Sequence, residues 1–353
     1  MEQLKRLVRE DFLSFKAYST ARDEFDSSGM IYLDANENPL TPPDNRYPDP
    51  HHHNLKKSYL RAQKDLDPRF MDYFIGLENI FCGNGSDETI SLLTLLFCEP
   101  RQDSVYITRP SYGMYEVSAR TMGAQVKTID LDENFDLNLE NLPKFKFNDK
   151  ILFLCSPNNP TGNLLSRDKI IKILAIFPGI VVVDEAYIEF AGVENSLIGL
   201  ISQNQRLIIT RTLSKAWGLA NLRVGFSIQD RFITELLYKI KPPYNLNGYS
   251  QARGAEILSQ IEQFKNNLEV ILREREFLCS ELKKHPSIIQ IFPTQANYIL
   301  CRVDNAEKLY SYLVKNGIIP RNRSKDRNLE NCIRFTVGSP EENVKLIQAI
   351  SSY

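Results

Sequence analysis

Lys215, Asp184, Tyr187, Asn159, Tyr112 and Arg223 are the side chains of this sequence best suited to chemistry, because each follows a short apolar run. Tyr112 follows Ser104–Thr108, in RPSYGMYE. Asn159 follows Ile151–Cys155, in SPNNPTGN. Asp184 follows Ile180–Val183, in DEAYIEF, with Tyr187 three residues on. Thr212, Ser214, Lys215 and Arg223 follow Leu207–Thr210, in RTLSKAWGLANLRVGF. Upstream, FCGNGSDE reads as a turn at Gly85 with Ser86 as the N-cap of a helix, whose free N–H groups suit an anion such as phosphate. Singly, each has a plain explanation: Asp184 as a cap at a strand end, Lys215 as a surface lysine, the GxG as a turn, Tyr112 as half-buried core. As a set they meet one need. The amine forms a Schiff base with an aldehyde, and the carboxylate keeps a pyridine nitrogen protonated. Hydroxyl and amide groups reach a ring hydroxyl, an aromatic stacks on the ring, and a helix start plus an arginine hold a phosphate. The cofactor that requires all of these is pyridoxal 5'-phosphate. A reactive lysine of aldolase type would leave the anion site and Asp184 unexplained.

The elements that must position this set are those of an α/β protein. The four runs are rich in β-branched and aromatic residues and do not alternate with polar ones, so both faces of each strand are expected to be buried, as in parallel sheets covered by helices. Ligands of such sheets bind beyond the carboxyl ends of the strands, where the polar residues stand. A helical arm is expected at Leu4–Phe15 and irregular chain through IYLDANENPLTPPDNRYPDP. After Pro242-Pro243 a long helix, roughly Ser250–Lys284, leads to strands at Ile288–Phe292, Ala296–Arg302 and Cys332–Val337. Helices are expected near Asn305–Asn316 and Glu341–Ser351, completing a smaller α+β unit. At about 150 residues per domain, 353 residues suggest two units. The expected division is an arm with part of the small domain at 1–44, a large cofactor-binding domain at 45–246 and a small domain at 247–353.

Composition narrows the partners. Lys plus Arg is 43 and Asp plus Glu is 44, a net charge of -1, so no global positive field calls for nucleic acid. The basic stretch at 321–327 lacks interleaved aromatics and reads as a solvated loop or a substrate-anion site. No apolar stretch approaches the roughly 20 residues of a membrane span, and the charged N-terminus does not resemble a signal peptide. Six scattered cysteines without a CxxC pair read as reduced thiols in a cytoplasmic protein. His51-His52-His53 has no accompanying ligand set at metal spacing, so no metal is expected.

From Asn36 to Gly338 the motifs resemble the aspartate-aminotransferase fold family, fold type I of the pyridoxal-phosphate enzymes. The resemblance implies a large domain with a mostly parallel sheet and a smaller α+β domain. It implies that Lys215 bonds the cofactor and that Asp184 partners the pyridine nitrogen. Tyr187 and Asn159 are directed at the ring hydroxyl, and Tyr112 stacks on the ring. Gly85, Ser86, Thr212, Ser214 and Arg223 form the phosphate cup, and Arg334, in CIRFTVGSPEEN, holds a substrate carboxylate. LDANENPL, NRYPDP, PSYGMY and LSKAWGLANLRVGF narrow the resemblance to the histidinol-phosphate aminotransferases. That implies exchange of an amino group between L-histidinol phosphate and 2-oxoglutarate, a step of histidine biosynthesis. It also implies substrate roles for Tyr18, Asn36 and Arg321. Tyr47 is implied to reach the cofactor phosphate of a neighbouring subunit, hence a homodimer with a shared site. Asn221 and Trp217 depart from the Gly and Phe more usual there. Alternatives within reach of the same motifs are an aromatic amino acid aminotransferase and a threonine-phosphate decarboxylase. A non-catalytic regulator of this fold does not match a chain that keeps Lys215.

Overall fold

The structure, a computed structural model, describes residues 2–16, 31–42 and 44–353. A seven-stranded sheet carries the molecule. Its strands are β1 (Ile80–Asn84), β2 (Ser104–Arg109), β3 (Gln125–Asp130), β4 (Asp149–Cys155), β5 (Ile180–Asp184), β6 (Leu207–Thr212) and β7 (Val224–Ile228). They lie in the order β1-β7-β6-β5-β4-β2-β3. All run the same way except β7, which is antiparallel to both its neighbours.

The absence of polar alternation in the central runs has its cause in two cores, one on each face. Ile151, Phe153, Ile180 and Val182 belong to one cluster, and Leu152, Leu154, Val181 and Val183 to the other. Successive side chains of a strand point to opposite faces, so strands covered on both sides must be apolar throughout. The sequence expectation of a mostly parallel sheet with covered faces is borne out.

A smaller antiparallel sheet follows: β8 (Ile288–Ile291), β9 (Tyr298–Val303), β10 (Arg321–Asn322) and β11 (Cys332–Thr336), in the order β10-β11-β9-β8. Ile299, Cys301, Ile333 and Phe335 face a separate core closed by helices Ala306–Lys315 and Pro340–Ser351. The opposite face of β9 and β11 carries Tyr298, Leu300 and Cys332, which join the core of the large sheet.

Three local expectations are corrected. The N-terminal arm is two short helices, Glu2–Lys5 and Glu10–Ser14, not one over Leu4–Phe15. Leu4, Leu7 and Val8 are buried in the core of the large sheet, so the arm follows that surface instead of a straight axis. The long helix divides at Ser259-Gln260 into Gly248–Leu258 and Ile261–Leu282. Ala255 and Leu258 of the first piece and Phe264 of the second still belong to the large-sheet core, while Leu278 and Leu282 belong to the small one. The N-cap of helix Ser86–Phe97 is Gly85, not Ser86. Gly85 has φ +77, the left-handed region in which a glycine is not strained, and Ser86 opens the helix.

One close approach fixes the edge of the sheet. A Cβ at Gly225 would lie 2.3 Å from the Ser86 nitrogen and 2.4 Å from the Gly85 carbonyl carbon. Gly225→Ala is therefore expected to push β7 away from the turn, costing about 1–3 kcal/mol of stability. Urea unfolding of the cofactor-free protein reads the loss, and an unchanged midpoint would show that the turn yields freely.

Candidate active site

The parallel strands deliver their carboxyl ends to one edge, and β7 begins there because it runs the other way. Arg223 directly precedes β7, and Gly85 and Ser86 directly follow β1. The result is a crevice with about 460 Å³ of free space, lined by Ser86, Tyr112, Asn159, Asp184, Tyr187, Thr212, Ser214, Lys215 and Arg223. The structure thus assembles these sequence-expected residues in one place. Asp87, Cys155 and Ala186 also line it and were not singled out in the sequence.

Asp184 is buried at the end of β5. Its Oδ2 accepts from the Tyr115 hydroxyl at 2.7 Å and its Oδ1 from the Ala186 N–H at 3.2 Å. Burial raises its pKa above the ordinary carboxylate range, and Tyr115, the Thr210 hydroxyl and the Ala186 N–H pull it back. A cationic ring nitrogen would add the charge that a buried carboxylate lacks. The neighbouring Glu185 points to the other face, where it pairs with buried Arg211 at 2.9 Å.

The NNPTG loop is pinned from below. The Asn158 side chain donates to the Pro110 carbonyl at 2.9 Å and accepts from Ser111 at 3.0 Å, while its backbone carbonyl accepts from Tyr298 at 2.7 Å. This frees Asn159 to face the crevice, where its amide donates to the Tyr187 hydroxyl at 3.4 Å. Burial keeps the Tyr187 phenol protonated, its pKa raised above the ordinary value.

The end expected to take phosphate is an open cradle. Ser86 and Asp87 begin a helix whose first-turn N–H groups have no partner within it. Arg223, in left-handed backbone at φ +53, reaches Ser214 Oγ at 3.4 Å and Asp87 at 3.3 Å. A Cβ at Gly85 would sit 2.5 Å from the Arg223 guanidinium, so the cradle depends on glycine there. Asp87 also accepts from Tyr112 at 3.1 Å, tying the Tyr112 ring to the same arginine. The donors, the buried carboxylate and the amine fit pyridoxal 5'-phosphate at its phosphate, its ring nitrogen and its aldehyde.

Lys215 stands in the open mouth, its Nζ 5.4 Å from the centre of the Tyr187 ring. Burial and the nearby Arg334 guanidinium lower its pKa, opposed by Asp184. Arg334, on β11, donates to Asn159 Oδ1 and lies over the Tyr298 ring at 5.0 Å. Its Nε is buried without a hydrogen-bond partner. Arg321 is directly opposite Arg334 in the β10–β11 register. Arg323 is paired with Asp326 at 2.5 Å and Arg327 with Asp130 at 2.8 Å. Among the described residues no carboxylate pairs with Arg321, Lys325 or Arg334, and of these Arg334 reaches the crevice, with Arg321 beside it in the strand register.

Tyr47 and Asn36 do not line this crevice. They line a second one, together with Tyr244 and Tyr249, where the Tyr47 ring stacks on Tyr244 at 4.4 Å. Tyr18 lies outside the described residues. His52 is fully buried against Tyr238, and His53 is held by Asp49 at 3.0 Å. Trp217 is buried and stacks on Phe264 at 4.0 Å, which makes it a packing residue.

The chain belongs to the aminotransferases of class I and II, whose family model matches residues 32–350. The expected fold, the aminotransferase activity and the pyridoxal-phosphate cofactor all stand with that membership. The chain is 44% identical to the histidinol-phosphate aminotransferase of Parabacteroides distasonis, over 100% of this chain and 99% of that one. Further relatives of the same description range from 39% to 42% identity. Among solved structures, the histidinol-phosphate aminotransferase of Clostridium acetobutylicum superposes with a TM-score of 0.78 at 28% identity, covering 88% of this chain and 90% of that one. The L-threonine-O-3-phosphate decarboxylase of Porphyromonas gingivalis shares the fold at a TM-score of 0.71 and 21% identity, covering 88% and 90%. Among the described residues no helix is long and apolar enough to cross a membrane.

Proposed function

We propose that this chain catalyses the reversible reaction of L-histidinol phosphate with 2-oxoglutarate to give 3-(imidazol-4-yl)-2-oxopropyl phosphate and L-glutamate. The observation that carries this reading is the Arg321–Arg334 pair, two cations without carboxylate partners among the described residues and joined to the Lys215 crevice through Asn159. The substrates it must serve in turn are a phosphate monoester and a dicarboxylate. A fork of guanidinium donors suits both anions.

When bound, pyridoxal 5'-phosphate supplies an aldehyde that takes the amino group and a ring that accepts the electron pair of a broken C–H bond. The chain does the rest. Lys215 holds and moves the proton at its Nζ. Asp184 keeps the ring nitrogen cationic. Asn159 and Tyr187 hold the ring hydroxyl, and Arg223 with the helix start anchors the phosphate. Arg334 and Arg321 orient the substrate's anionic tail, with the donor leaving as a keto compound before the acceptor binds.

The working form in this reading is a cytoplasmic homodimer. Tyr47 is 49% exposed and lies outside the lining of its own chain's crevice, and Ile31, Leu33 and Leu40 are 84–88% exposed. A second subunit would cover this surface and receive Tyr47 at its own cofactor phosphate. All six cysteines are free, as a reducing compartment requires.

The test is glutamate formation from 2-oxoglutarate with L-histidinol phosphate, phenylalanine or tyrosine as donor. Histidinol phosphate is expected to lead in kcat/KM by about 100-fold or more, since a site built for a polar group rejects ligands lacking it. Preference for phenylalanine would overturn the substrate assignment. Carbon dioxide release from threonine phosphate, without glutamate formation, would make the enzyme a decarboxylase.

A further inference from the structure

Tyr115 has no assigned role, yet it is fully buried and its hydroxyl donates to Asp184 Oδ2 at 2.7 Å. Two contacts hold it there. Its ring lies flat on Phe153 of β4, at 4.8 Å and 2° between planes. It also meets the edge of Tyr112, at 5.5 Å and 85°. Helix Met114–Thr121 carries it, so the residue reaches Asp184 from outside the strand on which Asp184 sits. Burial raises the pKa of the phenol well above its ordinary value, so the hydroxyl stays protonated and acts as a donor.

An ionised carboxylate only accepts hydrogen bonds, at about four lone-pair sites. Tyr115 and the Ala186 N–H occupy two of these at fixed positions, and the Thr210 hydroxyl adjoins the carboxyl from β6, which still leaves a site for a cationic partner. We propose that Tyr115 is a positioning residue for the cofactor nitrogen: its hydroxyl holds the Asp184 carboxylate ionised and in one orientation, while its ring sets the tilt of Tyr112. The effect is exerted through Asp184, so it should appear only with a ligand that has a ring nitrogen. This inference rests on Asp184 as the nitrogen's partner.

The test uses two ligands and needs no turnover. Cofactor-free protein is titrated with pyridoxal 5'-phosphate and with its carbocyclic analogue, in which CH replaces the ring nitrogen, and binding is followed by absorbance. Tyr115→Phe keeps the ring and removes the hydroxyl. It is expected to weaken pyridoxal 5'-phosphate by about tenfold or more, the size of a hydrogen bond to a charged group, and to leave the analogue's affinity unchanged. Unchanged analogue binding also reports that the variant is folded. Equal loss for both ligands would make Tyr115 a packing residue and overturn the proposal, as would no loss for either. Asp184→Asn is the control for the underlying reading. It should abolish the parent's preference for the nitrogen-bearing ligand, and retention of that preference would remove Asp184 from the nitrogen and the proposal with it.

Discussion

Lys215→Ala is expected to lower kcat by at least about 10⁴-fold while the protein still binds pyridoxal 5'-phosphate. On the proposed mechanism the loss is large because Lys215, the amine among the described residues of the crevice, does two things, forming the covalent link and carrying the proton, and proton transfer alone is worth about 10²–10⁴-fold. Binding is expected to survive because the other proposed contacts lie elsewhere, in the Arg223 and Ser214 cradle, the helix start at Ser86 and the Asp184 carboxylate. Single-turnover assays and the visible absorbance of the loaded variant measure the two effects separately. Turnover at the parent rate would show that another base serves. Loss of cofactor together with turnover would show that Lys215 mainly anchors it.

Arg334→Ala is expected to raise KM for glutamate and 2-oxoglutarate by about 100-fold. Removing one partner of a desolvated charge pair costs roughly 2–5 kcal/mol, and the Nε of this guanidinium is already buried without a partner. Arg334→Lys should recover little, because a single ammonium cannot bridge Asn159 and a carboxylate as a fork does. A second consequence follows from the charge. Arg334 is among the causes that lower the pKa of Lys215, together with burial and Arg223, against Asp184 and Asp87. Without it the Lys215 amine regains affinity for its proton once released, and the acid limb of the kcat profile moves to higher pH. Steady-state kinetics across pH tests both effects. A KM change without a shift of the acid limb would separate substrate binding from the tuning of Lys215.

Much of the large sheet can be read from the chain because β2, β4, β5 and β6 are continuous apolar runs covered on both faces. The other strands hide for physical reasons. β3, QVKTID, lies at the sheet edge and is half solvated, so polar residues dilute its pattern. β1 and β7 each contain a glycine where the two backbones meet at the Ser86 turn. β10 is two residues long and exists only by pairing with β11. In the site, Asp184, Tyr187, Asn159 and the Lys215 segment are legible because each directly follows a run. Tyr115 and Asp87 are not. Tyr115 meets Asp184 across 69 positions of chain, and Asp87 meets Arg223 across 136. In sequence, Tyr115 is a second aromatic in PSYGMYE, and Asp87 is an acidic residue suited to the first turn of any helix.

The contact between Asn159 and Arg334 crosses from a loop of the large sheet to a strand of the small one, and Tyr298 and Gln295 bond the same loop from the same side. The small sheet has an interior of its own on one face, while its other face, through Tyr298, Leu300 and Cys332, closes the core of the large sheet along this seam. On the proposed function the seam is also where the substrate's tail is gripped. Selectivity and integrity therefore meet at one seam in this protein. A chain loosened along that line would uncover Tyr298, Leu300 and Cys332 as it lost its ability to tell one amino donor from another, while the interior behind Ile299, Ile333 and Phe335 stayed closed.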